Sequence, residues 1–306
     1  MPAEGIHLTA LREAAAAPAL GTSARRRIVR HQDLARLGAL LVDLPYFDHY
    51  AGEVVRYALG RPARPSPWGS RLHDGGAVDL LGALLLEARA DPAPATGAIA
   101  LGLASHLAID RALHPLINAL ARAFPHGDHG SSHREVEKFQ SICFHEDDLG
   151  RDLMGQPGIT RHLRIDAAAH LDDAALARPI LAAFAAAFGQ APSPRELARL
   201  GRGYRTHTWL LGSPIGGRIA PAAAKAEARP RLLRGAWGDF ASLLGDAITA
   251  SIEVIDAAAA VLEADPADVP AARAALAQVL PAGTIDPDGA EVDLSRPFVV
   301  RLARAA

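Results

Sequence analysis

The strongest constraint on this 306-residue chain is one long apolar, alanine-rich run, Ala95 to Phe124, with three polar residues set into it at a fixed interval. Alanine and leucine favour helix, and the run lacks the alternation of a half-buried strand. His106, Asp110 and His114 fall at i, i+4 and i+8, so a helix stacks them on one face. Burying two imidazoles and a carboxylate unpaired is costly. A shared metal ion, or more than one, satisfies all three together. The competing reading is a core helix with hydrogen-bonded histidines. It suits a lone His better than a set in register. Pro115 follows His114 directly. Proline removes a backbone hydrogen bond and disfavours the α conformation for the residue before it, so a kink or a change of character is predicted there.

A second i, i+4 pair, His133 and Glu137, stands on a separate helical stretch just downstream. Alone it reads as a solvated helix start; beside the first set it reads as the facing wall of a metal site. Weaker signals lie upstream. His7 precedes the first expected helix in an apolar context. Asp43 ends an apolar helix in Leu-Leu-Val-Asp-Leu-Pro, at the unfavourable end of the helix dipole, and so needs a cation. His73 opens a helix for which Asp74 is the expected N-cap. Together these make eight nitrogen and oxygen donors and no sulfur, a set that suits Zn²⁺ or a similar ion. Ten of the 13 histidines precede Gly150, which places the metal chemistry in the first half.

Half the residues are hydrophobic, enough for a sizeable core, and the net charge of -2 argues against a nucleic-acid partner. Cys143 is the only cysteine, so no internal disulfide forms, which fits a reducing compartment. The N-terminus lacks the basic and apolar segments of a signal peptide, so a cytoplasmic location is expected. The longest uncharged run, Pro92 to Ile109, carries two Pro, a Ser and a His, so no membrane span is expected.

Helices are expected over Leu8–Ala17, Ala24–Leu44, Phe47–Leu59, from Asp74 or Gly75 onward, Ala95–Phe124, Ser132–Phe144, His162–Phe188, Pro194–Leu211 and Arg231–Ala264. Gly60–Gly69 reads as a loop, and the tail from Glu291 to Arg304 as a strand pair or a helix. The expected architecture is all-α, a multi-helix bundle around a metal cluster. It forms one domain over 1–306, with a metal-binding half at 1–150 and a second half at 151–306 that completes the bundle and the pocket.

The order of these residues resembles the zinc-dependent phospholipase C family. The shared pattern is a His near the N-terminus, Asp in Gly-Ala-Leu-Leu-Val-Asp-Leu-Pro, a lone His, His-x3-Asp-x3-His-Pro-x2-Asn, then His-x3-Glu, over about residues 5–150. The resemblance implies an all-α bundle with two or three zinc ions, a fold shared with the trinuclear-zinc nucleases. It implies that Asp43, His73, His106 and Asp110 hold a closely spaced pair of ions. His7 and His114, with His133 and Glu137, would complete the cluster. It also makes Asp43 the catalytic group that orients a bridging water. The secreted members begin at a Trp that binds metal through its own amine, whereas this chain starts Met-Pro. Proline also follows the third His here. Both departures point to an intracellular relative.

The activity so implied is metal-dependent hydrolysis of a small-molecule or lipid phosphoester. Iron or manganese in place of zinc would fit the same donors. His73-Asp74 is also a literal HD dyad, which supports an HD-type phosphohydrolase as an alternative. A metal-dependent oxidase or lyase on the same scaffold, or a non-catalytic metal-stabilised binding protein, would use the ligands differently. His126 and His129 read as a rim beside the site, His145-Glu146-Asp147-Asp148 as a solvated helix end, and Asn118 as an outer partner for a ligand. Tyr204, His207 and Trp209 could reach a pocket from the second half, although a Trp/Tyr pair in a helix is more often core.

Overall fold

In a computed structural model, residues 4–59, 61, 64, 66–91, 94–125, 129–284 and 292–302 are described. The protein is all-α. The first half carries α1 (Glu4–Ala16), α2 (Thr22–Arg30), α3 (Gln32–Leu40), a 3-10 turn (Leu44–Phe47), α4 (Tyr50–Ala58), α5 (Pro67–Arg71), a π turn (Leu72–Gly76), α6 (Ala77–Ala90), α7 (Pro94–Ala123) and α8 (His129–Leu149). Beyond them come α9 (Pro157–Leu163), α10 (Ala167–Asp172), α11 (Ala174–Phe188), α12 (Pro194–Leu211), α13 (Pro214–Ile219) and α14 (Ala222–Leu232). A two-residue hairpin, β1 (Arg234–Gly235) against β2 (Gly238–Asp239), then leads into α15 (Phe240–Glu263) and α16 (Val269–Val279).

The axis of the molecule is α7. Every residue from Thr96 to Ala121 except Pro115 is buried, as expected of a helix wrapped on all sides. It packs chiefly on α3 and α15, with α6, α8, α1 and α2 around it. The α3–α7 crossing is close because it is made of glycines. A Cβ on Gly102 would lie 1.9 Å from the Ala35 carbonyl oxygen, and one on Gly38 would lie 2.0 Å from that of Ile99. Since both obstacles are backbone, neither can swing aside. Gly102→Ala is therefore expected to destabilise the fold by about 3 kcal/mol or more, the upper end of overpacking costs, read as a shift in the chemical-denaturation midpoint.

Several expectations from the sequence are corrected. Pro115 lies inside α7, which continues past it to Ala123. The first helix starts earlier, so His7 lies inside α1. The expected helix over Ala24–Leu44 divides at His31 and ends at Leu40. Asp43 thus lies three residues beyond α3, at the start of the 3-10 turn, and escapes the unfavourable dipole end assigned to it. Asp74 is not an N-cap: the π turn, with Gly75 at φ 119°, carries the chain past it, and Gly76 precedes α6. The Gly60–Gly69 loop contains the start of α5, where Ser66 Oγ accepts from the Trp68 amide and Pro67 opens the helix. The expected helix over His162–Phe188 is three helices, and that over Arg231–Ala264 is interrupted by the hairpin. Gly235 and Gly238 disfavour helix there, and Asp239 then caps α15 through the Ala241 and Ser242 amides. The tail residues 292–302 form neither strand nor helix.

Candidate metal centre

Five elements bring the eight donors together. α1 presents His7; the turn after α3 presents Asp43; the π turn presents His73; α7 presents His106, Asp110 and His114; and α8, running back from the end of α7, presents His133 and Glu137. His7, Asp43 and His106 each offer a ligand atom within 4.8 Å of the others, and so do His114, His133 and Glu137. Asp110 joins the two groups. Its Oδ2 is 2.8 Å from His106 Nε2, and its Oδ1 is 3.3 Å from His7 Nε2 and 3.5 Å from His114 Nε2. His73 Nε2 attaches at the other end, 3.6 Å from Asp43 Oδ1.

Most of these spacings are wider than a charge-assisted hydrogen bond and are compatible with ligands around a shared ion. Charge-assisted N–H···O contacts run at about 2.7–2.9 Å. Two ligands of one tetrahedral ion with bonds near 2.0–2.2 Å lie about 3.3–3.6 Å apart along the tetrahedron's edge. His7–Asp110, His114–Asp110 and His73–Asp43 fall in the second range, as do His114 Nε2 and His133 Nε2 to Glu137 Oε1 at 3.4 and 3.3 Å. The short His106–Asp110 contact does not meet hydrogen-bond geometry at Nε2.

Three of the rings are oriented by oxygen at the opposite nitrogen. His106 Nδ1 donates to the Ala39 carbonyl at 2.7 Å, His133 Nδ1 to Asn118 Oδ1 at 2.7 Å, and His73 Nδ1 to the Gly69 carbonyl at 2.9 Å. Each bond holds a proton on Nδ1 and turns Nε2 inward, the usual orientation behind a metal-bound imidazole. Asn118 thus has the outer role read from the sequence. Tyr46, 38 % exposed, leans on His73 with its hydroxyl 3.3 Å from Nδ1, a neighbour the sequence reading missed. Thr284 Oγ1 donates to the His73 carbonyl, so the chain after α16 braces the same turn.

The electrostatics are those of a buried anionic cluster. Burial alone would raise Asp43, Asp110 and Glu137; the surrounding imidazoles outweigh it and hold all three below the ordinary carboxylate range. Burial would likewise lower His106 and His73. Asp110 and Asp43 raise His106 to about 9, and Asp43 raises His73. His7 stacks on His106 at 3.9 Å between ring centres and is lowered to about 4, by burial first and then by its charged neighbour. Three buried carboxylates therefore gather positive charge. A cavity of about 20 Å³ lies among His7, Asp110, His114 and Glu137, walled by apolar residues of α1 and α7 and by Phe240 of α15. Its size suits one water molecule or ion.

Residues outside the cluster depart from their sequence reading in two places. His145 and Glu146 are buried, with Glu146 ion-paired to Lys225, while Asp147 and Asp148 are exposed. Tyr204 is core, but Trp209 is 63 % exposed. His126 lies outside the described residues. Comparison of the chain with protein-family models, characterised proteins and solved structures gave no match.

Proposed function

We propose that the protein is a metal-dependent hydrolase of phosphoesters, using two or three ions, zinc by preference, held by His7, Asp43, His73, His106, Asp110, His114, His133 and Glu137. The observation that carries this reading is Asp110, which presents one oxygen to His106 and the other to His7 and His114. A carboxylate so placed bridges two neighbouring ligand sets. Five imidazoles and three carboxylates without thiolate match zinc in a hydrolytic rather than a thiolate-closed structural setting. Ions bound there would lower the pKa of a coordinated water and neutralise charge on a phosphoryl group. The order of ligands along the chain resembles that of the zinc-dependent phospholipase C family, which supports the same class of reaction.

The chain's own residues supply the rest. His106, His133 and His73 hold their rings fixed through Nδ1. Asp43, carboxylate-charged and buried beside His73, would accept a hydrogen bond from the attacking water and so orient it. His73, with a side chain 15 % exposed, and the partly exposed Tyr46 against it form one side of the centre that faces solvent. An HD-type reading finds less support. His73 faces Asp43, while Asp74 is exposed and makes no ion pair among the described residues. Among the described residues, no helix is long and apolar enough to cross a membrane.

The test is metal analysis of the purified chain, together with hydrolysis of a phosphomonoester, a phosphodiester and dispersed phosphatidylcholine. Two or more zinc ions per chain with turnover of any of the three supports the reading; a chain that takes up no metal at neutral pH sinks it. Asp43→Asn nearly preserves shape but removes the charged acceptor that orients the water. It is expected to lower kcat by about 100-fold, the scale of a misplaced reactant. If full hydrolysis and full metal content survive, Asp43 is structural.

A further inference from the structure

His7 is mounted differently from His73, His106 and His133. Its Nδ1 is buried without a hydrogen-bond partner among the described residues, so no oxygen behind the ring sets its orientation. What places His7 is the position of α1 itself. Every residue from Glu4 to Leu11 is buried, and α1 is gripped on two sides within one turn of His7. On one side Glu4 Oε1 lies 2.7 Å from His207 Nε2 of α12, a close charge contact that does not meet hydrogen-bond geometry, with both residues 1 % exposed, and His207 Nδ1 lies 2.8 Å from Tyr50 Oη of α4. On the other side Thr9 Oγ1 donates to His145 Nε2 of α8 at 3.0 Å, since His145 Nδ1 donates to the Ser141 carbonyl. Between them Gly5 lets α1 approach: a Cβ there would lie 2.9 Å from His145 Cε1.

We propose that Glu4 and His207 are positioning residues for the metal centre: they tie the first turn of α1, which packs on α3, α7 and α15, to α12, and so set how far His7 reaches toward the ion it would share with Asp110. A buried carboxylate–imidazole pair contributes little net stability on its own. Its value is registry: a slide of α1 by a fraction of a turn would take Nε2 out of bonding range while leaving the apolar face of α1 covered. Thr9 and His145 prevent rotation about the same helix. The second half of the chain thereby sets the geometry of a centre whose ligands all lie in the first half. The inference rests on the metal reading of the site.

The experiment counts ions retained by the full-length chain after zinc loading and buffer exchange, and follows their release to a chromogenic chelator. Wild type, His7→Ala, Glu4→Ala, His207→Ala, His207→Gln, Thr9→Val and Tyr204→Phe are compared. Tyr204→Phe removes a buried bond of the same helix, Tyr204 Oη to the Leu163 carbonyl, and serves as the structural control. Glu4→Ala and His207→Ala are expected to lose the one ion that His7→Ala loses, or to release it at least about tenfold faster, the scale of outer-partner effects. Thr9→Val, the mildest change, is expected to speed release of the same ion and stands in if the alanine variants do not fold. His207→Gln, which keeps a donor toward Glu4, is expected to restore retention. Tyr204→Phe is expected to keep every ion even if its Tm falls. Variants of Glu4, His207 and Thr9 that hold and release their ions as wild type does overturn this proposal alone. A wild type that holds no ion overturns the metal reading and the proposal with it.

Discussion

Asp110→Asn is expected to strip the centre of metal and to lower phosphoester hydrolysis by more than about 100-fold, beyond the range typical of outer partners. The change is close to isosteric, so the loss is one of chemistry and not of packing. Both carboxylate oxygens are in use, Oδ2 toward His106 and Oδ1 toward His7 and His114. An amide keeps one oxygen and turns an NH₂ toward the other side, where it presents protons to a cation or competes for an imidazole lone pair. His106 cannot adapt by changing tautomer, because its Nδ1 proton is committed to the Ala39 carbonyl. Both ligand groups therefore suffer from one substitution. His133→Ala, by contrast, is expected to empty only the group it shares with His114 and Glu137. Metal stoichiometry decides the matter: an Asp110→Asn chain with a full complement would show that Asp110 is a counter-charge and not a bridge.

The part of this site legible in the sequence is the part carried by helical periodicity. His106, Asp110 and His114 needed only the 3.6-residue repeat and an apolar surround, and His133 with Glu137 needed the same repeat on the next helix. The convergence of the two helices followed from the short connection between them. His7, Asp43 and His73 carry no such signal, because each comes from a different element and meets the rest only through tertiary packing. Asp43 was sought at a helix end and stands in a turn; His73 was expected at a capped helix start and sits on a π turn. Local rules missed both settings, since the irregular backbone follows from what the side chains face. The pairing of Glu4 with His207 spans most of the chain, and nothing near either residue announces it. The hairpin before α15 was legible in principle, through Gly235, Gly238 and the capping Asp239, but apolar residues on both sides masked it.

The metal-free protein is expected to lose stability as pH rises from about 7 to about 10, and the zinc-loaded protein is not. The cause is the proton on His106. An imidazole ordinarily titrates at 6.5; burial would lower that value, but Asp110 and Asp43 raise it to about 9. The fold therefore binds this proton more tightly than the unfolded chain does. The resulting stabilisation is complete below 6.5 and lost as pH passes through about 9, and it amounts to something on the order of 3 kcal/mol. His7 works in the opposite sense. Lowered to about 4, it stays neutral in the fold, so acidification from 6.5 toward 4 favours the unfolded chain. Asp110 and Glu137, held below the ordinary carboxylate range, stabilise above it and lose that contribution as acid protonates them. The metal-free chain should thus be most stable near neutrality and weaken on both sides. With zinc bound, a cation stands where the His106 proton stood, and the alkaline loss disappears. The acid limb steepens, because protons compete with the ions for five imidazoles. Denaturation midpoints measured across this range, with and without chelator, distinguish the cases. A metal-free chain equally stable at both alkaline and neutral pH would contradict the charge arrangement around His106, and superimposable profiles for the two forms would show that no ion replaces that proton.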